Sequence, residues 1–332
     1  MKVGVVGVGR VGAACALSLV TRGSAREVVL VDLNRARAKA VATDLRYGGP
    51  VCPEMEIRDG SYEDLTGPTV GMITAGLNEK GGGATDRGDA TGRLKLLDTN
   101  VGVFRSMIPQ ILAAAPQAVL LVVTDPPDPL ADLTRELAGH DRVLSTGTFL
   151  DSLRFRTHLA QRLDVSPKSV EALVVGEHGT SEVFLWSTAR VGGVPVEAAL
   201  AVGTPFDQFR LDVERDVRYA NITIIEGNDA SQFGIGIVST RITEAVLRDE
   251  QAVLPVGKFN SKYGVTVTLP CVVGRNGAGR ILEPAMSAEE RKDFERSVEV
   301  LRAASEQTQN GRSKPIADEA DQRRSRGQKR LA

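Results

Sequence analysis

A glycine-rich turn near the start of this 332-residue chain constrains its fold more than any other feature. Lys2–Val6 is a short, mostly β-branched run that stops at Gly7-Val8-Gly9-Arg10-Val11-Gly12, after which residues 13–20 continue as a helix-compatible stretch. A strand that passes through GxGxxG into a helix gathers free main-chain amides and the positive end of the helix dipole at one point, which suits a pyrophosphate. Gly7 permits the tight turn, Gly9 lets a ligand approach the backbone, and Gly12 lets the helix pack closely. A second apolar run, residues 28–31, ends at Asp32, twenty residues beyond Gly12. A carboxylate there accepts hydrogen bonds from an adenosine ribose and repels a 2′-phosphate, so the cofactor is expected to be NAD rather than NADP. The alternative is a glycine turn in an α/β domain that binds nothing.

Further buried strands are expected at residues 70–74, 119–123 and 143–145, alternating with helical stretches, so the class is α/β with a doubly wound parallel sheet. After about residue 147 the texture changes. Strands are expected at 170–175, 184–191 and 265–273, and long amphipathic helices at 205–226, 234–248 and 287–306. The last helix opens with Ser287 and Glu290 in capping-box spacing. This divides the chain into a Rossmann NAD-binding domain at 1–147, an α+β substrate and catalytic domain at 148–306, and a disordered basic tail at 307–332.

Charge excludes several partners. Lys plus Arg number 41 against 42 Asp plus Glu, so no general attraction to nucleic acid or an anionic membrane is expected. The longest uncharged run, 107–124, is interrupted by Pro109, Gln110, Pro116 and Gln117 and is no membrane span. Cys15, Cys52 and Cys271 have neither metal-site nor disulfide-framework spacing. No metal is expected, and the reducing cytoplasm is the expected location.

Only three histidines are available for chemistry, His140, His158 and His178. His140 sits in a loop and His158 among charged residues at helical spacing, so both are expected to face solvent. His178 follows an apolar strand within Gly176-Glu177-His178-Gly179, a small-residue setting from which an imidazole can reach a ligand.

Over about residues 1–305 the chain resembles the lactate/malate dehydrogenase family. The resemblance is carried by Gly7 to Gly12, Asp32, Gly92-Arg93-Leu94, Asn100-Val101-Gly102 and residues 121–126. It continues through Gly147-Thr148-Phe149-Leu150-Asp151-Ser152-Leu153-Arg154-Phe155, Gly176 to Gly179 and Pro270-Cys271-Val272-Val273-Gly274-Arg275-Asn276-Gly277. It implies an NAD-dependent oxidoreductase interconverting an L-2-hydroxy acid and a 2-oxo acid, with His178 as acid–base and Asp151 orienting it. It also implies Arg154 as a two-point fork for the substrate carboxylate and Arg93 polarising the carbonyl. Ser231 or Asp229 would stand on the substrate wall, and Arg10, Val11, Ala75, Gly76, Asn100 and Thr124 would join Gly7, Gly9, Gly12 and Asp32 around the cofactor. A homodimer or homotetramer is the implied assembly. Asp151 and Arg154 could instead be a helical ion pair, and Arg93 a solvated loop charge.

The sequence departs from the family in three places. The glycine-rich lid before Arg93 is several residues longer than usual and, with Phe149, resembles L-2-hydroxyisocaproate dehydrogenases. Yet Arg87 stands six residues before Arg93, where malate dehydrogenases bind a second carboxylate, so malate dehydrogenase is the alternative. Asp125 replaces the family's usual asparagine, and Glu226 and Asp229 add acids near the substrate wall. These acids suggest an atypical pocket for a polar or amino-bearing substrate. Glu171 occupies the place of a basic residue found in fructose-bisphosphate-activated relatives, so such activation is not expected. Two further classes remain: a metal-dependent NAD glycosidase, disfavoured by the dispersed cysteines, and a non-catalytic NAD-binding regulator, disfavoured by His178, Asp151, Arg154 and Arg93 together.

Overall fold

The computed structural model describes residues 1–67, 69–77, 79–82 and 92–310. The first half winds through β1 (Lys2–Val6), α1 (Arg10–Arg22), β2 (Glu27–Val31), α2 (Arg35–Gly48), β3 (Glu56–Asp59) and β4 (Thr69–Ile73). It continues through α3 (Glu79–Gly82), α4 (Leu97–Ala114), β5 (Val119–Val122), α5 (Pro127–Ala138) and β6 (Val143–Ser145). The six strands are parallel in the order β6-β5-β4-β1-β2-β3. β1, β2 and β5 are buried on both faces, which is why they read as continuous apolar runs rather than alternating ones. On one face Val3, Val5, Val28 and Leu30 pack with Cys15 and Leu19 of α1. On the other, Val29, Val31 and Ile73 pack with Phe104, Ile108 and Ile111 of α4. The doubly wound α/β sheet expected from the sequence is therefore what forms. β3 escaped the sequence reading because Glu56-Ile57-Arg58-Asp59 is a polar edge strand.

The second half comprises α6 (Phe149–Leu163), β7 (Val170–Glu171), β8 (Val174–Val175), β9 (Val183–Phe184), β10 (Arg190–Val191), β11 (Val194–Pro195) and α7 (Val196–Ala199). Then come α8 (Phe206–Arg218), α9 (Ala220–Asn228), α10 (Phe233–Leu247), β12 (Ala252–Asn260), β13 (Val265–Gly274), β14 (Gly277–Ile281) and α11 (Ala288–Asn310). Several expectations fail in detail. The strand expected at 170–175 splits into β7 and β8, which belong to different sheets. The one expected at 184–191 is broken by a helical turn at Trp186–Thr188. That turn seats the Trp186 indole edge-on against Phe155, with Nε1 donating to Glu214 at 2.8 Å. The helix expected at 205–226 breaks at Tyr219 into α8, which buries Val213 and Val217, and α9, which buries Ile222 and Ile225.

Expected solvent exposure also fails for two histidines. His158 is half-buried, and burial followed by the nearby Arg162 charge pushes its pKa down. His140 is half-buried too, its Nδ1 accepting the Arg142 N–H. The capping box forms as expected, with Ser287 N–H donating to Glu290 and Glu290 N–H to Ser287 Oγ. α11 runs on to Asn310, four residues past its expected end. The basic tail beyond it lies outside the described residues. Cys15 and Cys271 are buried, and burial pushes both thiols up to about 12, which leaves them protonated packing groups.

The main surprise is the continuity of the large sheet. β12, β13 and β14 form an antiparallel meander, and β12 joins β6 through the single pair Gly257–Ser145. One nine-stranded sheet, β14-β13-β12-β6-β5-β4-β1-β2-β3, thus spans both halves of the chain.

Candidate active site

The cofactor cradle is built by missing side chains. Gly7 adopts φ +92, a left-handed conformation that strains any residue with a Cβ. A Cβ at Gly12 would lie 1.9 Å from the Gly7 carbonyl oxygen, so only glycine lets α1 start this close to β1. Gly9 is the N-cap of α1 and supplies no side-chain cap, which leaves the first-turn amides to meet a phosphate. Asp32 pins the same turn from the tip of β2, its Oδ2 accepting from Val8 N–H at 2.7 Å and its Oδ1 from Asn34 N–H at 2.7 Å. Gly7, Gly9, Asp32, Ala75 and Gly76 line one cleft together with Tyr62, which the sequence reading had not singled out. Burial, reinforced by Asp32, pushes the Tyr62 phenol up. Glycines at the turn and a carboxylate at the ribose position fit NAD.

Two residues expected around the cofactor also tie segments of the protein together. Asn100 is fully buried, and its amide staples two loops, accepting from Leu77 N–H and donating to the Asp125 carbonyl, each at 2.7 Å. Arg10 reaches across to the turn after α9, bonding the Asn228 carbonyl at 2.8 Å and Asp229 at 3.3 Å. Thr124 closes the floor by donating to the Ala75 carbonyl at 2.9 Å.

A second cleft adjoins the first through Thr74 and Gly76, which line both. Its apolar end is Val11, Val123, Leu150 and Ile235, and its polar end Asp125, Arg154, His178, Asn221 and Ser231. α6 presents Asp151 and Arg154 on adjacent turns of its first, inward-facing stretch. β8 ends at Val175, and the φ of +86 at Gly176 then turns the chain so that His178 meets them. His178 Nδ1 bonds Asp151 Oδ2, while Asp151 Oδ1 accepts from Arg154 at 2.9 Å. Arg154 also reaches Ser231 Oγ at 3.4 Å. The other imidazole nitrogen, Nε2, lies 3.8 Å from Asp125 Oδ1. Asp151 and Arg154 do form the ion pair that helical spacing allows, and the same pair abuts His178.

Of the three acids that suggested an atypical pocket, only Asp125 lines it. Glu226 is exposed on α9, and Asp229 is exposed beside Arg10, so Ser231 rather than Asp229 stands on the wall. Buried Asn221 is a wall residue that sequence reasoning missed; it carries no spacing signal, because α9 brings it in from the far side. Arg93 falls in a short helical turn, Gly92–Leu96, and its side chain lies outside the described residues, as do Arg87 and most of the lid.

Comparison with known proteins agrees along the whole described chain. Residues 1–144 match the family model for the lactate/malate dehydrogenase NAD binding domain, and residues 148–311 that for its alpha/beta C-terminal domain. An L-lactate dehydrogenase of Thermus aquaticus is 45% identical over 314 residues, covering 92% of this chain and 98% of the relative. One from Deinococcus radiodurans is 44% identical over 309 residues, covering 92% and 99%. Among solved structures, a lactate dehydrogenase from a Medee basin deep-sea metagenome library superposes with a TM-score of 0.85 at 30% identity, covering 93% and 98%.

Proposed function

The chain belongs to the lactate/malate dehydrogenase family, and from that premise we propose that it is an L-2-hydroxy acid dehydrogenase with an atypical substrate pocket. NAD, when bound, supplies the hydride acceptor or donor. His178 Nε2 takes the proton from the 2-hydroxyl in oxidation and returns it to the 2-oxo oxygen in reduction. Asp151 keeps the Nδ1 proton in place and balances the imidazolium charge. Arg154 holds the substrate carboxylate and so sets the distance from C2 to His178. The resemblance assigns carbonyl polarisation to Arg93. The cluster of Arg154, Asp151 and His178 in one cleft, beside the glycine cradle, carries this reading.

The apolar end of the cleft suits a small apolar side chain, as in the lactate of the relatives' names. Among the described residues, Arg154 is the only cation lining the cleft. The alternative, a malate dehydrogenase, therefore depends on Arg87 for the second carboxylate. For assembly we propose a homodimer or homotetramer, since α1 and α10 pack through Ala14 and Gly236 yet leave Leu17, Phe233 and Ile237 exposed. Residues 1–147 are assigned to cofactor binding and 148–306 to substrate chemistry.

NADH consumption with pyruvate, oxaloacetate, branched-chain, aromatic and amino-bearing 2-oxo acids tests the reading. Pyruvate or another apolar 2-oxo acid is expected to lead, and Asp125→Asn to change the ranking about tenfold. Preference for oxaloacetate would favour the Arg87 alternative, and an unchanged ranking in Asp125→Asn would remove the atypical pocket. Rejection of every 2-oxo acid would sink the main reading.

A further inference from the structure

A buried carboxyl that no step above uses lies directly beneath the catalytic histidine. Asp128, in the first turn of α5, is 1% exposed. Its Oδ1 accepts from Ser145 Oγ at 2.5 Å and its Oδ2 from the main-chain N–H of His178 at 3.4 Å. Ser145 belongs to the one pair, Gly257–Ser145, through which the antiparallel meander joins the parallel sheet. A Cβ on Gly257 would come within 2.2 Å of Asp128 Oδ1 and 2.0 Å of Ser145 Oγ, so β12 is pressed onto this carboxyl. The splice between the two halves and the main chain of His178 therefore rest on the same side chain.

We propose that Asp128 is a positioning residue for the reaction: it fixes the backbone of His178 from below, while Asp151 fixes the ring from the side. The inference rests on the reading of His178 as the acid–base group. An N–H to carboxylate bond is roughly twice as strong as one to a neutral acceptor, so the grip depends on the charge of Asp128. A length of 3.4 Å is long for such a bond, and bonds of this kind commonly tighten when substrate is held. Burial pushes the Asp128 carboxyl up to about 7, against the pull of Ser145 and of His178. The titratable groups facing it are His178, whose ring touches Asp151 and approaches Asp125, and Asp132 one turn along α5. β6 and β12 present Ser145 and Gly257 at this point.

Asp128→Asn keeps the shape and removes the charge. Its kcat for the best 2-oxo acid is expected to fall on the order of 10- to 100-fold. KM should stay within about threefold, because Arg154 is untouched, and NADH affinity should not change. Ser145→Ala, a milder change should Asp128→Asn fold poorly, is expected to lower kcat a few-fold with the same KM. Wild-type kcat in both variants would overturn the proposal, as would a loss confined to KM or to thermal stability. A second readout needs no turnover: with only three histidines, ¹⁵N-histidine labelling yields three amide signals, assignable by substitution. The His178 amide of the wild type is expected to shift with an inflection near pH 7 that Asp128→Asn abolishes, the ring nitrogens reporting the imidazole separately. An unchanged inflection in Asp128→Asn would overturn the proposal. If the wild type reduced no 2-oxo acid, the functional reading would fail while this titration still decided whether Asp128 holds His178.

Discussion

The two clefts that meet at Thr74 and Gly76 are built on opposite principles. The cofactor side is made by absence: Gly7, Gly9 and Gly12 remove side chains so that backbone amides and a helix terminus do the recognising, within a few consecutive residues. The substrate side is made by presence: Asp125, Asp151, Arg154, His178 and Ser231 arrive from four separate segments, the last four linked by charged hydrogen bonds and Asp125 standing 3.8 Å from the imidazole. A site of the first kind fails when bulk is added. A site of the second kind fails when charge or a proton is changed.

Three perturbations break this contrast, the largest first. His178→Asn removes the proposed acid–base group, and kcat is expected to fall about 10²- to 10⁴-fold while NADH titration remains that of the wild type. Matching losses in both quantities would show that the clefts are not separable in this way.

The second is pH, acting through buried acids on α5. The folded-state pKa of Asp128 is about 7 and that of Asp132 about 6, both raised by burial above the 3.8 of an exposed aspartate. The folded state thus holds protons that the unfolded chain has released. The stability each acid contributes is fully present below about pH 4 and is lost as pH rises through about 6 for Asp132 and about 7 for Asp128. Urea unfolding between pH 4.5 and 8 should show the wild type losing on the order of 3 kcal/mol relative to Asp128→Asn, with the difference levelling off above pH 7. A constant difference across that range would mean that Asp128 is ionised throughout.

The smallest effect is expected on the cofactor side. Gly12→Ala places a methyl against the Gly7 carbonyl, and NADH affinity should drop about tenfold, with kcat at saturating NADH close to wild type. A fall in kcat alone would place Gly12 in the chemistry rather than the cradle.

The same contrast explains what could be read before the fold was known. Gly7, Gly12 and Asp32 were legible because one compact unit, β1, the glycine turn, α1 and β2, places all three. His178, Asp151 and Arg154 were legible only through resemblance, since their meeting depends on the chain turning at Gly176, after β8, toward the first turns of α6. Asn221 and Asp128 were not legible, because neither spacing nor composition marks a residue whose importance comes from what packs over it. Glu226 and Asp229 misled for the converse reason: they are near the wall in sequence but face outward on α9 and its cap.

Periodicity and turn chemistry alone determined the parallel α/β half, the glycine cradle, the preference for NAD and the short list of histidines. The first three rest on signals that each segment carries in its own period and turn residues, whatever it later packs against, and the last is composition alone. Only the tertiary structure decided that one nine-stranded sheet runs through both halves, that Asn100 and Arg10 serve as staples, and that Asp125 is the one suspect acid to reach the cleft. Those outcomes turn on contacts between residues up to more than two hundred positions apart, such as Arg10 with Asp229, where burial and charge pairing are fixed by the packing of whole elements.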